Sequence, residues 1–476
     1  MRGMRLHWKT RQRWIALSTA AVIAAGAIGF FGGRWWTEHR YPMLQDPAFA
    51  NLDYTYREIM DDYLNGARSS DLIHGAASGM AESLNDPYSV YYAGEQGESY
   101  VQRYEDHIVG IGVEIREEDG EFVINAAYKG APADKAGLLK DDVIVSVDGE
   151  LLRGRTLNDL VKLTRGEEGT KVKVTIMRAG LAEPFDVTLV REPIPIHTVS
   201  SALLEGDIGK VQISRFSENT DKEFDKAVDD LMKQGMKGLL LDLRANPGGL
   251  VNPTIAIASR LIPKDQVILQ VVAKNGSKEH TYRSEQEKPW TLPITVLIDE
   301  SSASSAEVLA AALRDSAGAK LVGMKSFGKG VVQTFTQLSD GSVLKLTESQ
   351  WRTPSGNWIH QQGIEPDVAV EMPAYARLPM LPTDKVLKEG AFGQDVKTAE
   401  EMLAAVGYDP GKPEGIFDAA TAEAVERLQR DERLTPDGKL GGRTTFKLMD
   451  RLRSKLAEED PQAKAAIETL RSQMKP

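Results

Sequence analysis

The chain has 476 residues, 41% hydrophobic and 27% charged, enough for three or four globular domains with sizeable cores. A net charge of −11 argues against nucleic acid as a partner, although the first residues (Arg2, Arg5, Lys9, Arg11, Arg13) are basic. With no cysteine, disulfides, thiolate metal sites and a cysteine nucleophile are excluded.

From Trp14 to Gly33 the sequence carries no charge, and about twenty such residues at ~1.5 Å rise span a bilayer core of ~30 Å. Basic residues precede this run, so residues 1–40 read as a cytoplasmic tail and signal anchor, with Trp14, Trp35 and Trp36 at the interfaces. A cleaved signal peptide ending near Ala24-Ala25-Gly26-Ala27 is the competing reading; bulky Ile28, Phe30 and Phe31 beyond that site favour the uncleaved anchor. Either way the remainder lies outside the cytoplasm. Residues 41–104 form a helical segment. Within it Leu52, Tyr56, Ile59 and Tyr63 recur at helical spacing in an amphipathic helix from Phe49 to Met80, which ends near Asp86-Pro87-Tyr88-Ser89.

Short β-type runs follow at Gly110 to Arg116, Phe122 to Ala126, Val143 to Val147 and Lys171 to Met177, with two helical stretches between them. They define a small α+β module over residues 105–190. Its segments Gly130-Ala131-Pro132-Ala133-Asp134-Lys135-Ala136-Gly137-Leu138 and Asp142-Val143-Ile144-Val145-Ser146-Val147-Asp148-Gly149 resemble a PDZ domain. That resemblance implies capture of a peptide C-terminus as an added strand, its carboxylate held by loop N–H groups. Gly110-Ile111-Gly112-Val113 occupy the corresponding loop, and the same glycines also suit a plain strand start. Arg165, ending the helix Leu157 to Thr164, is either a sensor of bound peptide or a solvated helix-terminal cation. Asp141 stands where the PDZ pattern usually has glycine.

After Pro193 and Pro195, apolar strands at Gly209 to Ile213 and Gly238 to Leu243 flank a helix from Asp221 to Gln234, a βαβ pattern that predicts a parallel sheet. Asp242-Leu243-Arg244-Ala245-Asn246-Pro247-Gly248-Gly249 then leads into a helix from Val251 to Leu261. Such a turn presents successive N–H groups suited to an oxyanion, or is an ordinary strand-to-helix connection. Ile294 to Ile298 reads as a buried strand and Glu307 to Asp315 as a helix stopped by Gly318. Ser301-Ser302-Ala303-Ser304-Ser305-Ala306-Glu307 joins them, so a serine hydroxyl is exposed among unpaired helix N–H groups. Ser304-Ser305-Ala306-Glu307 is equally a capping box. Lys329 sits between two glycines in a strand-type segment, Ser326 to Leu338. As a general base it needs its pKa lowered from about 10.4 to roughly 7 or 8, which costs about 4 kcal/mol. Neither H-E-x-x-H nor G-x-S-x-G occurs, and Ser326-Phe327-Gly328-Lys329 lacks the S-D-N and K-T-G partners of penicillin-binding enzymes. His197, His280 and His360 belong to this region but to no motif.

Taken in order, Gly79-Met80 through Ser89, the PDZ-like segments, Asp242-Leu243-Arg244 through Gly249, and Ser302 through Gln333 resemble the C-terminal processing peptidases, or tail-specific proteases, over residues 45–370. The resemblance implies a crotonase- or ClpP-like α/β core with a β-rich lid, spanning residues 191–370 with part of 45–104. It also implies a Ser-Lys dyad supported by glutamine, with no metal and no cofactor. The family's base lies 25 residues after its nucleophile, which selects Ser304 against Lys329. The supporting glutamine falls four further on, at Gln333, two strand alternations along and so on the lysine's face. Gly248 and Ser305 are the implied oxyanion donors, and Asp315 matches an acidic position expected to be structural. Ser305-Ala306 replaces the more usual Ala-Ser.

Pro373, Pro379 and Pro382 mark a linker over 371–386. Gly390, Gly393-Gln394-Asp395-Val396, Gly415-Ile416-Phe417-Asp418 and Asp437-Gly438-Lys439-Leu440-Gly441 then resemble a three-helix peptidoglycan-binding domain, residues 387–450. Residues 451–476 read as a solvated charged helix or tail. The whole is expected to be a multidomain α/β protein, single-pass in a bacterial membrane and extracytoplasmic. As a serine endopeptidase its partners are proteins or peptides with a free C-terminus, together with peptidoglycan and the membrane, and the resemblance admits a homodimer. The competing function is a catalytically silent, wall-tethered PDZ adaptor.

Overall fold

The computed structural model describes residues 28–37, 39–118, 120–276 and 279–474. It divides into two compact units, one up to Ala93 and one from Gly94 onward.

In the first unit residues 28–37 are helical, with Ile28, Phe30, Phe31, Trp35 and Trp36 exposed. The expected span Trp14–Gly33 lies outside the described residues except for its last six. No helix among the described residues is long and apolar enough to cross a membrane. The expected single helix from Phe49 to Met80 is two helices, α1 (Phe49–Asp62) and α2 (Ser69–Glu82). Tyr63 is extended and Gly66 left-handed (φ 71°), so Leu64-Asn65-Gly66 forms a turn closed by the Gly66 N–H donating to Tyr63 C=O. Leu52, Tyr56 and Ile59 of α1 line an apolar groove with Leu72 and Ile73 of α2. A short strand, β1 (Val90–Tyr92), follows.

The second unit begins with helix α3 (Glu95–Gln102). Then come β2 (His107–Gly110), β3 (Val113–Glu118), β4 (Glu121–Ala127), α4 (Pro132–Lys135), β5 (Val143–Val147), β6 (Glu150–Leu151), α5 (Leu157–Thr164), β7 (Lys171–Met177), β8 (Phe185–Val190) and β9 (Glu192–Pro195). Strands β3-β4-β5-β7-β8 form an antiparallel sheet around Phe122, Ile124, Ile144, Leu160, Val174 and Ile176, and β3 is its edge. Asp141 adopts φ 70°, the conformation for which the PDZ pattern ordinarily carries glycine, and its carboxylate receives the Arg116 guanidinium at 2.6 Å.

The largest core contains β10 (Val199–Leu204), β11 (Ile208–Ile213), α6 (Thr220–Lys233), β12 (Gly238–Asp242), α7 (Val251–Leu261), β13 (Val267–Ala273), β14 (Glu279–Arg283), β15 (Ile294–Ile298), α8 (Ser305–Ala317), β16 (Lys320–Gly323), β17 (Val331–Gln337), β18 (Val343–Arg352) and β19 (Val368–Ala369). Its central sheet runs β10-β11-β12-β15-β16-β19, parallel throughout except for β10. Every residue of β12 and β15 is buried, as a strand covered on both faces requires. Leu239 and Leu241 face the main core with Phe224 of α6, Ile257 of α7 and Leu309 of α8, while Leu240 faces the other way. An antiparallel layer, β14-β13-β18-β17, stands beside this sheet.

Helices α9 (Gln394–Ala405), α10 (Ala419–Asp431) and α11 (Gly442–Glu458) pack around Val396, Leu403, Phe417, Leu428 and Leu448. The segment after Arg451 is helical, but it is not the solvated helix or tail expected. It completes α11 and then forms α12 (Pro461–Met474), whose Ala466 and Leu470 are buried against Ile208, Leu240, Leu297 and Val322 of the central sheet. Its charges had masked a one-sided apolar stripe.

Candidate active site

Ser304 ends the connection from β15 and immediately precedes α8. Its φ of 54° is rare for a residue with a side chain and costs on the order of 1–3 kcal/mol, so the surroundings must enforce it. Two bonds do so: the Ser304 N–H donates to Glu307 Oε2 at 2.8 Å, and the Ala303 N–H to Asn246 C=O at 2.9 Å. The neighbouring serines are engaged elsewhere. Buried Ser302 donates its hydroxyl to Leu243 C=O at 2.8 Å, and Ser305 donates its own to Gly249 C=O at 3.0 Å. Ser304 is half-buried and lines a cleft of about 140 Å³ together with Lys329 and Gln333.

Glu307 does far more than cap a helix. Fully buried, its Oε1 accepts the Ser326 hydroxyl (2.5 Å) and the Gly328 N–H (2.6 Å), while Oε2 accepts the Ser304 and Lys329 N–H groups (2.8 Å each). One carboxyl group thus joins the serine turn to the lysine segment. Burial pushes this carboxyl above its ordinary range, against the pull of those four donors. Lys329 is further fixed through its backbone, since its C=O receives the Trp351 indole N–H at 2.8 Å, and the next C=O, of Gly330, receives that of Trp358 at 2.8 Å.

Lys329 precedes β17, and Lys329, Val331, Gln333 and Phe335, at every second position, all line the cleft. The register shift between Val332 and Gln333 falls on the partner strand, where Glu348 of β18 is the extra residue, so the alternation along β17 runs on through Gln333. Gln333 Nε2 donates to Thr347 Oγ1 of β18 at 3.2 Å.

Opposite lies the turn after β12. Ala245 is left-handed (φ 55°) and its N–H donates to the Asp299 carboxylate at 3.0 Å. Buried Asn246 donates Nδ2 to Ile213 C=O and accepts the Gly248 N–H on Oδ1, both at 2.8 Å. The Gly248 N–H therefore already has an acceptor in this arrangement. A side chain at Gly248 would meet Ala303 C=O at 2.8 Å and Ser304 Cβ at 2.9 Å, so the turn abuts the serine. Ser305 opens α8, and its N–H is among those that a helix leaves without an internal acceptor.

Tyr100 and Tyr104 cover the cleft with Phe335, the Tyr104 and Phe335 rings stacking at 6.1 Å and 10°. These aromatics, Asn246, and the reach of Glu307 to the lysine segment escaped the sequence reading. The i, i+4 tyrosine pair and the S-x-x-E box were the available signals. Asp315 accepts the Ser355 hydroxyl at 2.7 Å, away from the cleft. His197 pairs with Glu223, and His360 Nδ1 accepts the Gly330 N–H at 3.3 Å.

In the PDZ-like module Gly110 ends β2 and Val113 opens the edge strand β3. Ile111 is buried, with its C=O accepting the Ala133 N–H at 2.9 Å. Gly112 has φ 74°, and a Cβ there would fall 2.3 Å from Ala131 Cβ. Arg165 follows α5 and lines a separate cleft with Arg103, His107, Val109 and Arg215.

Comparison with known proteins agrees with these parts. The family model for peptidase family S41 matches residues 207–370, that for a PDZ domain residues 123–178, and that for a peptidoglycan binding domain residues 392–448. A model described as the activating protease CtpB N-terminal domain matches residues 25–96. The carboxy-terminal processing protease CtpA of Bacillus subtilis (strain 168) is 42% identical over 461 residues, covering 97% of this chain and 98% of that protein. CtpB of the same organism is 36% identical over 476 residues, covering 96% and 99%. Among solved structures, a photosystem II D1 C-terminal processing protease aligns with a TM-score of 0.41 and 29% identity over 71% of this chain and 89% of that one. With near-complete coverage of relatives well above 30% identity, the chain belongs to the carboxy-terminal processing protease family of S41 serine peptidases.

Proposed function

We propose that the chain is an endopeptidase in which Ser304 is the nucleophile, Lys329 the general base and Gln333 the group that orients the lysine. The observation that carries this reading is the division of labour among the serines. Ser302 and Ser305 spend their hydroxyls on backbone carbonyls, while Ser304 is held at a strained φ in the cleft that Lys329 and Gln333 also line. Neutral Lys329 Nζ takes the Ser304 Oγ proton as Oγ bonds to the scissile carbonyl carbon. The C–N bond then breaks, the leaving amine recovers the proton from Nζ, and water hydrolyses the ester to regenerate Ser304. Negative charge on the carbonyl oxygen falls to the Ser305 N–H and the positive end of α8, with the Gly248 N–H joining once it releases Asn246 Oδ1.

Substrates are proteins or peptides with a free C-terminus, in keeping with the relatives' names. The tail adds to the edge strand β3, its carboxylate at the N–H groups of Gly110 to Val113, with Arg165 at the adjoining helix end. In this reading the enzyme works in the cell envelope, which the peptidoglycan-binding match supports, and the uncharged run Trp14 to Gly33 is its anchor. The test is turnover of an unstructured peptide by the full chain, Ser304→Ala and Lys329→Ala. Both substitutions are expected to reduce kcat at least ~10³-fold, and equal turnover in all three sinks the dyad. Amidating the peptide's C-terminus is expected to raise KM, whereas an unchanged rate removes the carboxylate-reading role.

A further inference from the structure

Arg244 stands two residues beyond β12 at the head of the glycine turn, and a guanidinium has five N–H donors in one plane. All five are used. Nε and Nη2 donate to the Asp242 carboxylate at 2.9 and 2.8 Å, Nη1 and Nη2 to the Asp460 carboxylate at 3.0 and 2.8 Å, and Nη1 also to Gln462 Oε1 at 3.1 Å. Two bidentate carboxylates fix both the plane and the direction of the group. Asp242 belongs to the strand that carries Arg244, so it restrains the arginine only locally. Asp460 comes from 216 residues away, beyond the peptidoglycan-binding module.

Asp460 is itself immobilised. Its Oδ1 accepts the Ala463 N–H at 2.8 Å as the cap of α12, and Gln462 Nε2 donates to Val370 C=O at 2.9 Å just after β19. Below it, Ala466 and Leu470 close the sheet face of Ile208, Leu240, Leu297 and Val322. From Arg244 the path to the nucleophile is short. Ala245 intervenes, then the Asn246 C=O receives the Ala303 N–H, and Ser304 is next. The left-handed Ala245 between them is a conformation that persists only while both ends are held.

We infer that Asp460 is a positioning residue for catalysis, setting the turn that meets Ser304 by fixing Arg244, so that the chain after the peptidoglycan-binding module belongs to the catalytic domain. This rests on the Ser304–Lys329 reading above. The full chain, Asp460→Ala, Asp460→Asn and Ser304→Ala are compared for peptide turnover, with active sites counted by a serine-directed fluorophosphonate and melting followed in parallel. Asp460→Ala is expected to lower kcat per titrated site by about 10- to 100-fold with KM changed less than about threefold. Asp460→Asn, which keeps the cap and a neutral acceptor, should fall between. A merely structural role lowers the melting temperature and the number of sites while leaving kcat per site alone. That result, kcat per site within about twofold of the parent, overturns the proposal; if the alanine variant does not fold, the asparagine variant decides by the same criterion. An active Ser304→Ala overturns the dyad itself, whereas an inactive Ser304→Ala beside an unimpaired Asp460→Ala overturns only the role of Asp460.

Discussion

Glu307 is where the cap reading and the catalytic reading of the serine run meet. Its two oxygens serve four donors, two of them the backbone N–H groups of Ser304 and Lys329, so its geometry sets the separation of those residues. Glu307→Gln keeps the size but turns one oxygen into a donor facing two donors. The expected result is a loss of about 1–3 kcal/mol in chemical denaturation, from stranded buried N–H groups, and a kcat at least ~10-fold lower with KM little changed. An unchanged kcat would leave Glu307 as a cap only. The sequence displayed the S-x-x-E half of this arrangement because capping is local. The bonds to Ser326, Gly328 and Lys329 were not legible, since they depend on how a segment some twenty residues later returns to the helix. The choice among the serines was legible only through the 25-residue spacing carried by the family resemblance. Physically it rests on Ser302 and Ser305 reaching carbonyls of a strand end and a turn some sixty residues earlier.

At the scale of elements, the turn after β12 and the start of α8 behave as one joint. A Cβ at Gly248 would collide with Ala303 and Ser304, and the residue's φ of 98° is costly for any side chain. Gly248→Ala is therefore expected to reduce kcat by about 100-fold or more, with a stability loss of about 1–3 kcal/mol. Gly235 supplies the control: it has φ 93° but nothing within 4 Å of a Cβ, so Gly235→Ala should show the backbone cost alone and leave kcat unchanged. Kinetics on the two variants separate contact from conformation. Elements with strong periodicity or terminators were legible to within a residue or two, as at Val251–Leu261, Ile294–Ile298 and Leu157–Thr164. One failure has a physical cause: the Leu64-Asn65-Gly66 turn splits a helix whose apolar spacing continues across it.

Over the whole molecule the segment that the sequence concealed is α12, because it follows the charged run from Arg451 to Asp460 and reads as part of a solvated tail until the bare face of the sheet beneath it is known. The Asp242 carboxylate beneath Arg244 gives stability a readable dependence on pH. Burial alone would raise the Asp242 carboxyl, but the Arg244 hydrogen bonds and charge, with Lys210 at 3.2 Å, win and hold it below its ordinary 3.8. The folded state thus binds that proton less tightly than the unfolded chain, so the contribution is complete above pH 3.8 and disappears as pH falls through the lower folded value. Glu307 has the opposite sign. Its carboxyl is raised above 4.5 by burial, so what it contributes is complete below pH 4.5 and is lost as pH rises through the higher folded value. Melting temperature measured against pH in the parent, Asp242→Asn and Glu307→Gln should separate the two. Asp242→Asn, which breaks a buried pair at a cost of about 3–5 kcal/mol, should be less stable throughout, with a flatter fall below pH 3.8. Glu307→Gln should retain the parent's acid limb and lose part of the decline above pH 4.5. Should both variants keep the parent's slope in both ranges, the acid limb belongs to carboxylates elsewhere, and Arg244 joins the turn to α12 without Asp242 making that joint sensitive to acid.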